Sequence, residues 1–176
     1  MTLWTIGHSN RPLEEFMAML RGHGVEVLVD VRTVPRSRYN PQFDRDALPG
    51  ELAARGIEYR HQPGLGGLRK PRKDSRNTGW RNDSFRGYAD YMLTAEFQAN
   101  LEALLRLASE RRVAIMCAEA VPWRCHRSLI ADAVTARGSE VRHIMSAEKA
   151  DAHRVTPFAR VEGGKVTYPP DSRRLF

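Results

Sequence analysis

Val25-Glu26-Val27-Leu28-Val29-Asp30-Val31 is a nearly continuous apolar run in which four of the seven residues are valine. Valine favours strands, and a run without polar alternation is typical of a strand that is covered on both faces of a parallel sheet. A helical pattern precedes this run, because apolar residues recur every three or four positions from Leu13 to Leu20. A buried strand that follows a helix indicates a chain in which strands and helices alternate.

The same alternation continues through most of the chain. Four further apolar runs have the length of strands, and the segments between them have the helical period of about 3.6 residues. The predicted strands cover residues 3–7, 25–31, 57–61, 113–117 and 141–145. The first predicted helix is capped by Ser9 or Asn10 and ends at Gly22. The other predicted helices cover residues 44–55, 85–112 (with a break near Thr94) and 123–137.

These elements predict an α/β fold with a mostly parallel five-stranded sheet and helices on both faces. We expect the strand order 3-2-1-4-5, which opens a crevice between strands one and four. Glu162-Gly163-Gly164 lies between two short apolar runs and predicts a C-terminal β-hairpin. We expect a single domain of 176 residues, with the sheet-and-helix core in residues 1–147 and the hairpin and tail in residues 148–176.

The charge balance narrows the class of partner. The chain has 28 basic and 21 acidic residues, a net charge of +7 and a pI near 9.9, so its field attracts phosphates and nucleic acids. Only 4 of the basic residues are lysine, and the rest are arginine. The planar guanidinium of arginine suits phosphate binding, although a GC-rich coding bias produces the same excess of arginine over lysine. Because we find no export leader and no apolar stretch near ~20 residues, we expect a cytoplasmic protein without a membrane partner.

Polar residues follow four of the predicted strands, at the edge where sheets of this kind bind ligands. They are His8 and Ser9 after the first strand, Asp30 and Arg32 after the second, His61 after the third, and Cys117 and Glu119 after the fourth. Because the carboxyl ends of parallel strands meet at one edge, we expect these groups to surround a common pocket. Helix capping alone would account for Ser9.

The segment from Cys117 to Arg127 runs from a strand end into a predicted helix and holds both cysteines of the chain. Cys125 and His126 lie within about one turn of the predicted helix N-terminus, where the helix dipole and positive neighbours stabilise a thiolate. Cys125 or Cys117 is therefore a candidate nucleophile, and Glu119 is a candidate general acid or base. The alternative is that both cysteines are small buried hydrophobic residues.

Two arginines of this segment are candidates for anion binding. Arg124 or Arg127, together with free backbone N–H groups at the helix N-terminus, can hold an oxyanion or a phosphate. Cys117 and Arg124 bracket six residues, one more than the Cys-loop-Arg of tyrosine phosphatases. Phosphatase or sulfurtransferase chemistry is therefore a weak analogy.

The sequence predicts neither a metal nor a cofactor. Cys117, Cys125 and His126 with His8 or His61 would supply four zinc ligands. Structural zinc sites usually begin with cysteines two to four residues apart, however, and seven residues separate this pair. Gly64-Leu65-Gly66-Gly67 lacks the spacing of a dinucleotide-binding turn, and the chain has no phosphate-binding loop motif.

Two arginine-rich segments are candidates for the rim of the pocket. Arg36, Arg38 and Tyr39 follow Arg32, and a combination of arginines with an aromatic ring is typical of proteins that grip single-stranded nucleic acid. Residues 68–82 hold six basic residues and one acidic residue without an apolar period, which indicates an exposed and mobile loop. The alternative for both segments is ordinary solvated surface charge.

Several motifs together resemble the family called domain of unknown function 488. They are Ile6-Gly7-His8-Ser9, Asp30-Val31-Arg32 with Pro35-Arg36-Ser37, Gly64-Leu65-Gly66-Gly67, Cys117-Ala118-Glu119 with Cys125-His126-Arg127, and the C-terminal hairpin with Leu175-Phe176. The resemblance spans nearly the whole chain and supports the fold, but the family name implies nothing definite about activity. It implies the following functional residues: His8, Ser9, Asp30, Arg32, Cys117, Glu119, Cys125, His126 and Arg127.

The first functional hypothesis is an enzyme that acts on a phosphate-bearing substrate, either a nucleotide or a nucleic acid. The candidate catalytic residues are Cys117, Glu119, Cys125, His126 and Asp30, and the candidate anion-binding residues are His8, Ser9, Arg32, Arg36, Arg38, Tyr39 and Arg127. The alternatives are a DNA- or RNA-binding protein without catalysis and a regulator that responds to metal or redox state. Leu175 and Phe176 also look like the end of peptides that bind bacterial sliding clamps, although the usual leading glutamine is missing.

Overall fold

The computed structural model describes residues 1–170. Leu175 and Phe176, on which the prediction of sliding-clamp binding depends, lie outside the described residues. The larger sheet consists of β1 (Thr2–Gly7), β2 (Val27–Asp30), β3 (Glu58–His61), β4 (Val113–Cys117), β5 (Glu140–Ile144) and β6 (Ala150–Ala152). All neighbouring strands in it are parallel except β5 and β6, which are antiparallel.

The strand order in this sheet is β3-β2-β4-β1-β5-β6. The predicted order 3-2-1-4-5 is therefore wrong at its centre, and the predicted count of five strands is too low by one. All five residues of β4 are apolar and buried, which suits a strand in the middle of a sheet between β2 and β1. β6 escaped prediction because it has three residues and no buried one. The exchange leaves the carboxyl ends of β2, β4 and β1 side by side.

Helices cover both faces of the sheet, as predicted. They are α1 (Leu13–Gly22), α2 (Leu48–Ala53), α3 (Asp83–Tyr91), α4 (Ala95–Glu110) and α5 (Arg127–Ala136). Successive residues of β2 face opposite cores: Leu28 packs with residues of α1 and α2, whereas Val27 and Val29 pack with residues of α3, α4 and α5. None of the helices in residues 1–170 is both long and apolar enough to cross a lipid bilayer.

Side-chain caps explain why one long predicted helix is divided. Asn82 accepts hydrogen bonds from the backbone N–H groups of Ser84 and Phe85 at the start of α3. Thr94 accepts one from the N–H of Phe97 at the start of α4, over a distance of 3.2 Å. The predicted break near Thr94 is therefore confirmed.

The segment that carries the cysteines departs from the predicted single helix of residues 123–137. Pro122–Arg124 form a separate 3₁₀ turn, and α5 begins only at Arg127. Cys125 has extended backbone angles (φ −134°, ψ 149°), which end the turn before the helix can start. Cys125 and His126 therefore lie in the connection between the turn and α5.

The C-terminal hairpin is confirmed, with β7 (Arg160–Glu162) paired to β8 (Lys165–Thr167). Gly163 and Gly164 between them both have positive φ angles, which glycine adopts at little cost. The basic segment of residues 68–82 is anchored, contrary to the expected mobile loop, because Asp90 accepts hydrogen bonds from Ser75 and Asn77. No apolar period announces this contact, since it depends on a single buried carboxylate in α3.

A second buried carboxylate, Asp132 of α5, holds the chain that follows β6. Asp132 accepts hydrogen bonds from the side chains of His153 (2.7 Å), Thr156 (2.7 Å) and Tyr168 (2.7 Å). The other ring nitrogen of His153 lies 2.8 Å from the ring of His143. Asp132 and Tyr168 are buried, and the side-chain donors of His153, Thr156 and Tyr168 depend on the two oxygens of Asp132.

We expect Asp132→Asn to lower the free energy of unfolding by about 2 kcal/mol, because the amide nitrogen would face buried donors and leave them unsatisfied. Urea denaturation followed by circular dichroism measures this. The matched control is Asp151→Asn, since Asp151 is exposed and its ion pair with Lys149 is long, at 3.7 Å; its stability should change by less than about 0.5 kcal/mol. Equal losses in the two variants would contradict the anchoring role of Asp132.

Candidate functional site

A cavity of about 580 Å³ opens beside the carboxyl ends of β2 and β4. Its volume lies within the range of small-molecule sites. Several predicted site residues line it: Arg32, Arg36, Cys117, Glu119, Cys125 and His126. The edge of the sheet therefore brings together groups that are more than eighty residues apart in the sequence.

The two cysteines share one wall of this cavity and are both unoxidised. Cys117 ends β4 and is 2% exposed, whereas Cys125 follows the 3₁₀ turn and is 6% exposed. The Cys117 thiol donates to the carbonyl of Glu119 over 3.8 Å. Burial opposes ionisation of Cys117, but the nearby Cys125 thiol and the charge of Arg127 lower its pKa overall. The nearby Cys117 sulfur and burial raise the pKa of Cys125, so Cys117 is the thiol that ionises first.

Arg127 begins α5 directly after the cysteine segment, and it lines neither the main cavity nor the neighbouring one that His8 and Ser9 line. Its side chain is 1% exposed, and its Nη2 donates a hydrogen bond to the carbonyl of Ala120 over 3.0 Å. Its Nε and Nη1 groups are buried without any partner, and no carboxylate in residues 1–170 pairs with it. A buried guanidinium without a counter-ion is costly. The Cys117 thiolate, whose pKa it lowers, is the anion that would compensate this charge.

His126 is placed to accept a proton from the Cys125 thiol. Its Nε2 donates to the carbonyl of Val31 (2.9 Å), which leaves Nδ1 without a proton in the neutral ring. That Nδ1 lies 3.5 Å from the sulfur of Cys125. Burial lowers the pKa of His126 to about 4, so the ring is neutral near pH 7 and its Nδ1 is a hydrogen-bond acceptor.

Glu119 is exposed, and its carboxylate makes no hydrogen bond or ion pair within residues 1–170. It lines both the main cavity and a neighbouring one of about 450 Å³. His8 and Ser9 line the neighbouring cavity but not the main one, and Arg124 lines both. A carboxylate that is free and shared by two cavities is accessible to a ligand in either.

Asp30 is buried and does not line the main cavity, and its carboxylate is fully engaged. Arg32 donates to its two oxygens over 2.9 and 2.8 Å, and the hydroxyl of Tyr59 donates over 2.6 Å. Arg32 also donates to the carbonyl of Phe43 and to the ring of His8. This cluster fixes the loop after β2, and of its members only Arg32 reaches the wall of the main cavity.

His8 is held as a neutral ring by the same cluster. Its Nδ1 donates to the carbonyl of Ser9 (2.8 Å), and its Nε2 accepts from Arg32 (3.3 Å). Burial lowers the pKa of His8, and the Arg32 charge adds to that effect. His8 therefore lies beside the site as a neutral hydrogen-bonding group.

The arginine-rich loop after β2 forms an exposed rim. Arg36 lies on the wall of the main cavity. Arg38 and Tyr39 lie further out, with the Arg38 guanidinium 5.7 Å from the ring centroid of Tyr39, which is 84% exposed. Neither Arg36 nor Arg124 has a side-chain hydrogen bond or ion pair in the described part of the chain. Both guanidinium groups are therefore free to bind an anion.

Three aromatic residues of the wall were not predicted, namely Trp123, Phe85 and Tyr88. Trp123 lies between Pro122 and Arg124 in the cysteine segment, and that position was the available signal. No comparable signal marks Phe85 and Tyr88, because the helical period of α3 reads simply as core. In residues 1–170 no three His, Cys, Asp or Glu side chains are grouped so that they could hold a metal ion.

The buried histidines predict an acid-sensitive fold. Burial lowers the pKa of His126 to about 4 and that of His143 to about 3, so the unfolded chain binds protons on these rings before the folded chain does. Their stabilising contribution is complete above pH 6.5 and is lost as the pH falls through 6.5 towards these values. Between pH 7 and pH 5.5 we expect a loss of about 1 kcal/mol for each ring.

Urea denaturation at several pH values measures this dependence. A His126→Gln variant should lose less stability than the native chain over the same interval, whatever its stability at pH 7. An identical slope in both proteins would contradict the assignment to His126.

A family model described as domain of unknown function DUF488 matches residues 12–134 of the chain. The matched range includes the cysteine segment and the loop after β2, whereas Ile6-Gly7-His8-Ser9 and the C-terminal hairpin lie outside it. No curated protein and no solved structure matches the chain. With more than half of its length matched, the chain belongs to the DUF488 family.

Proposed function

We propose that the protein is an enzyme in which Cys117 acts as the nucleophile on a phosphate-bearing substrate, either a nucleotide or a nucleic acid. The observation that carries this proposal is the buried guanidinium of Arg127, which has two unpaired donors and no carboxylate partner in the described residues. Arg127 stabilises negative charge on Cys117. A protein gains nothing in stability from such an arrangement, so a catalytic thiolate is the simplest reason for it.

The surrounding groups have roles that follow from their positions. Cys125 lies near Cys117 and lowers its pKa, and the Nδ1 of His126 is placed to accept the proton of Cys125. Arg36 and Arg124, both free, would bind the phosphate at the mouth of the cavity. Glu119 would exchange a proton with the leaving group or with water.

The proposal makes Cys117 the nucleophile and gives Cys125 a supporting role. Substitutions of the two cysteines should therefore have different effects. Iodoacetamide modification followed by mass spectrometry measures the thiolate at each site as a function of pH. We expect Cys117 to react first, with a midpoint below that of an ordinary thiol, and Cys125→Ser to shift that midpoint upwards. Inorganic phosphate and mononucleotides should protect Cys117. Preferential labelling of Cys125, or no protection by any phosphate compound, would contradict the proposal.

Conversion of a substrate is the decisive test, and the variants compared in it are the conservative substitutions Cys117→Ser and Cys125→Ser. Once a phosphate-bearing compound that protects Cys117 has been found, its conversion should be lost in Cys117→Ser and reduced in Cys125→Ser. A thiolate nucleophile also requires reduced thiols, which is the reason for placing this activity in the cytoplasm. Full conversion by Cys117→Ser would contradict the assignment of Cys117 as the nucleophile.

A second candidate function is binding of single-stranded nucleic acid without catalysis. The observation in its favour is the exposed rim of Arg36, Arg38 and Tyr39, in which an arginine lies over an aromatic ring. Phosphate contacts by such a rim would make affinity for an oligonucleotide fall steeply with salt. If Arg38→Gln and Tyr39→Ala weaken oligonucleotide binding while Cys117→Ser changes nothing in any assay, the binding function replaces the catalytic one.

A further inference from the structure

A further cavity, of about 820 Å³, is lined by Pro122 and Trp123 of the turn Pro122–Arg124. It is called the second cavity below, and the main cavity beside the thiols is called the first. Trp123 lines both cavities. This indole is 66% exposed and has no ring contact with any other aromatic residue in the described part of the chain. A large apolar ring that is left in solvent between two cavities is a feature of binding surfaces rather than of structural ones.

The wall of the second cavity contains a fixed aromatic pair. The rings of Trp80 and Phe158 meet edge to face, with their centroids 4.9 Å apart. Trp80 also packs on Phe85 and Tyr168, which limits its movement. The indole N–H of Trp80 is buried without a partner in the described residues, so the ring presents its apolar part to the cavity.

The floor of the second cavity is rigid and polar. His143 and His153 line it, and their rings are oriented by the hydrogen bonds that join them to Thr5 at one end and Asp132 at the other. Arg154 lies on the same wall and is exposed. The cavity thus combines aromatic faces, two oriented imidazole rings and a positive charge, which suits a flat ring that belongs to an anion.

Trp123 and Arg124 are consecutive residues of one 3₁₀ turn, and they connect the two cavities. The Arg124 guanidinium lines the cavity that contains the thiols, whereas the Trp123 ring also reaches the second. One ligand of two parts can therefore touch both, with an anionic group beside Arg124 and a flat ring against Trp123. A nucleotide has these two parts.

We propose that the second cavity binds the base of a nucleotide, which stacks on Trp123 while its phosphate lies beside Arg124 in the first cavity. This inference rests on the proposed function for the placement of the phosphate next to Cys117. Its ligand is a nucleobase joined to a phosphate, whether it comes as a mononucleotide or as part of a single strand. Stacking on an exposed tryptophan tolerates any base, so Trp123 provides affinity and the cavity walls provide selection.

The test uses the full chain with adenosine 5′-monophosphate, ribose 5-phosphate and a short single-stranded oligoadenylate. Binding is measured by equilibrium dialysis and by quenching of tryptophan fluorescence. The nucleotide should bind at least about tenfold more tightly than ribose 5-phosphate, and Trp123→Leu should remove that advantage. Because Trp123 is largely exposed, this substitution leaves the core intact. Adenosine, which lacks the phosphate, is a fourth probe: Arg124→Gln should weaken the binding of adenosine 5′-monophosphate and leave the binding of adenosine unchanged.

The matched control is Trp4→Phe, which removes a tryptophan that packs on His23 and lies outside both cavities. It should reduce the fluorescence signal and leave affinity unchanged. Much tighter binding of the oligoadenylate, still dependent on Trp123, identifies a single strand as the source of the base and supports the inference. Equal binding of ribose 5-phosphate and the nucleotide, unchanged affinity in Trp123→Leu, or no binding of either base-containing probe overturns it.

The two proposals fail separately. If Trp123→Leu has no effect while inorganic phosphate protects Cys117 from iodoacetamide, the base site is wrong and the thiolate enzyme stands. If Trp123-dependent nucleotide binding is found while Cys117 shows no enhanced reactivity, the protein binds nucleotides without using Cys117 as a nucleophile.

Discussion

A Gly7→Ala variant is expected to lose its site and about 3 kcal/mol or more of stability. Gly7 ends β1, and a Cβ atom built on it would lie 1.7 Å from the backbone oxygen of Glu119. Nothing flexible stands at that point, because the neighbour is the main chain of the loop after β4. The φ angle of Gly7 is not positive, so the cost is steric and falls on the loop that links Cys117 to the 3₁₀ turn.

Urea denaturation and iodoacetamide modification of Cys117 measure the two consequences separately. Gly50→Ala is the matched control, since Gly50 lies in α2 with no atom within 4 Å of the place that a methyl group would take. This control should gain rather than lose stability, because alanine favours a helix more than glycine does. Normal stability and normal Cys117 reactivity in Gly7→Ala would show that the loop does not pack on β1 as described.

The contact between Gly7 and Glu119 illustrates why the fold was easier to predict than its details. Strands, helices and the break at Thr94 follow from local periodicity and capping, which the sequence states directly. The positions of β4 and β1 depend instead on which strand is buried most completely once all helices have packed. Because both strands are short and apolar, periodicity alone does not rank them, and the predicted order exchanged them.

For the candidate site too, the location was predictable from the sequence, whereas the pairing of its charges was not. The sheet edge was predicted because the carboxyl ends of parallel strands must meet, and it does bring Cys117, Glu119 and Arg32 together. Which charges are paired was not predictable. Asp30 is engaged by Arg32, whereas Arg127 is buried without an acid, and residue type distinguishes neither case. The exposed Trp123 was missed for a related reason, since its residue type does not show whether the ring is buried or faces solvent.

Arg127→Met should separate activity from stability more sharply than any other substitution in the site. Methionine retains an unbranched apolar stem and removes the buried charge, together with the two N–H groups that have no partner. Without that charge the pKa of Cys117 should rise, and its alkylation near pH 7 should fall. Replacement of buried charge by an apolar side chain of similar size is often neutral or stabilising, so the free energy of unfolding should not decrease.

The opposite changes in reactivity and stability are what distinguish a thiolate-stabilising arginine from a structural one. Arg124→Met is the matched control, because Arg124 belongs to the same segment but is exposed and free. It should weaken phosphate protection of Cys117 and leave the midpoint of the Cys117 pH profile near its native value. If Arg127→Met instead unfolds readily while its remaining folded fraction keeps native thiol reactivity, Arg127 serves the packing of α5, and the thiolate has no dedicated counter-ion.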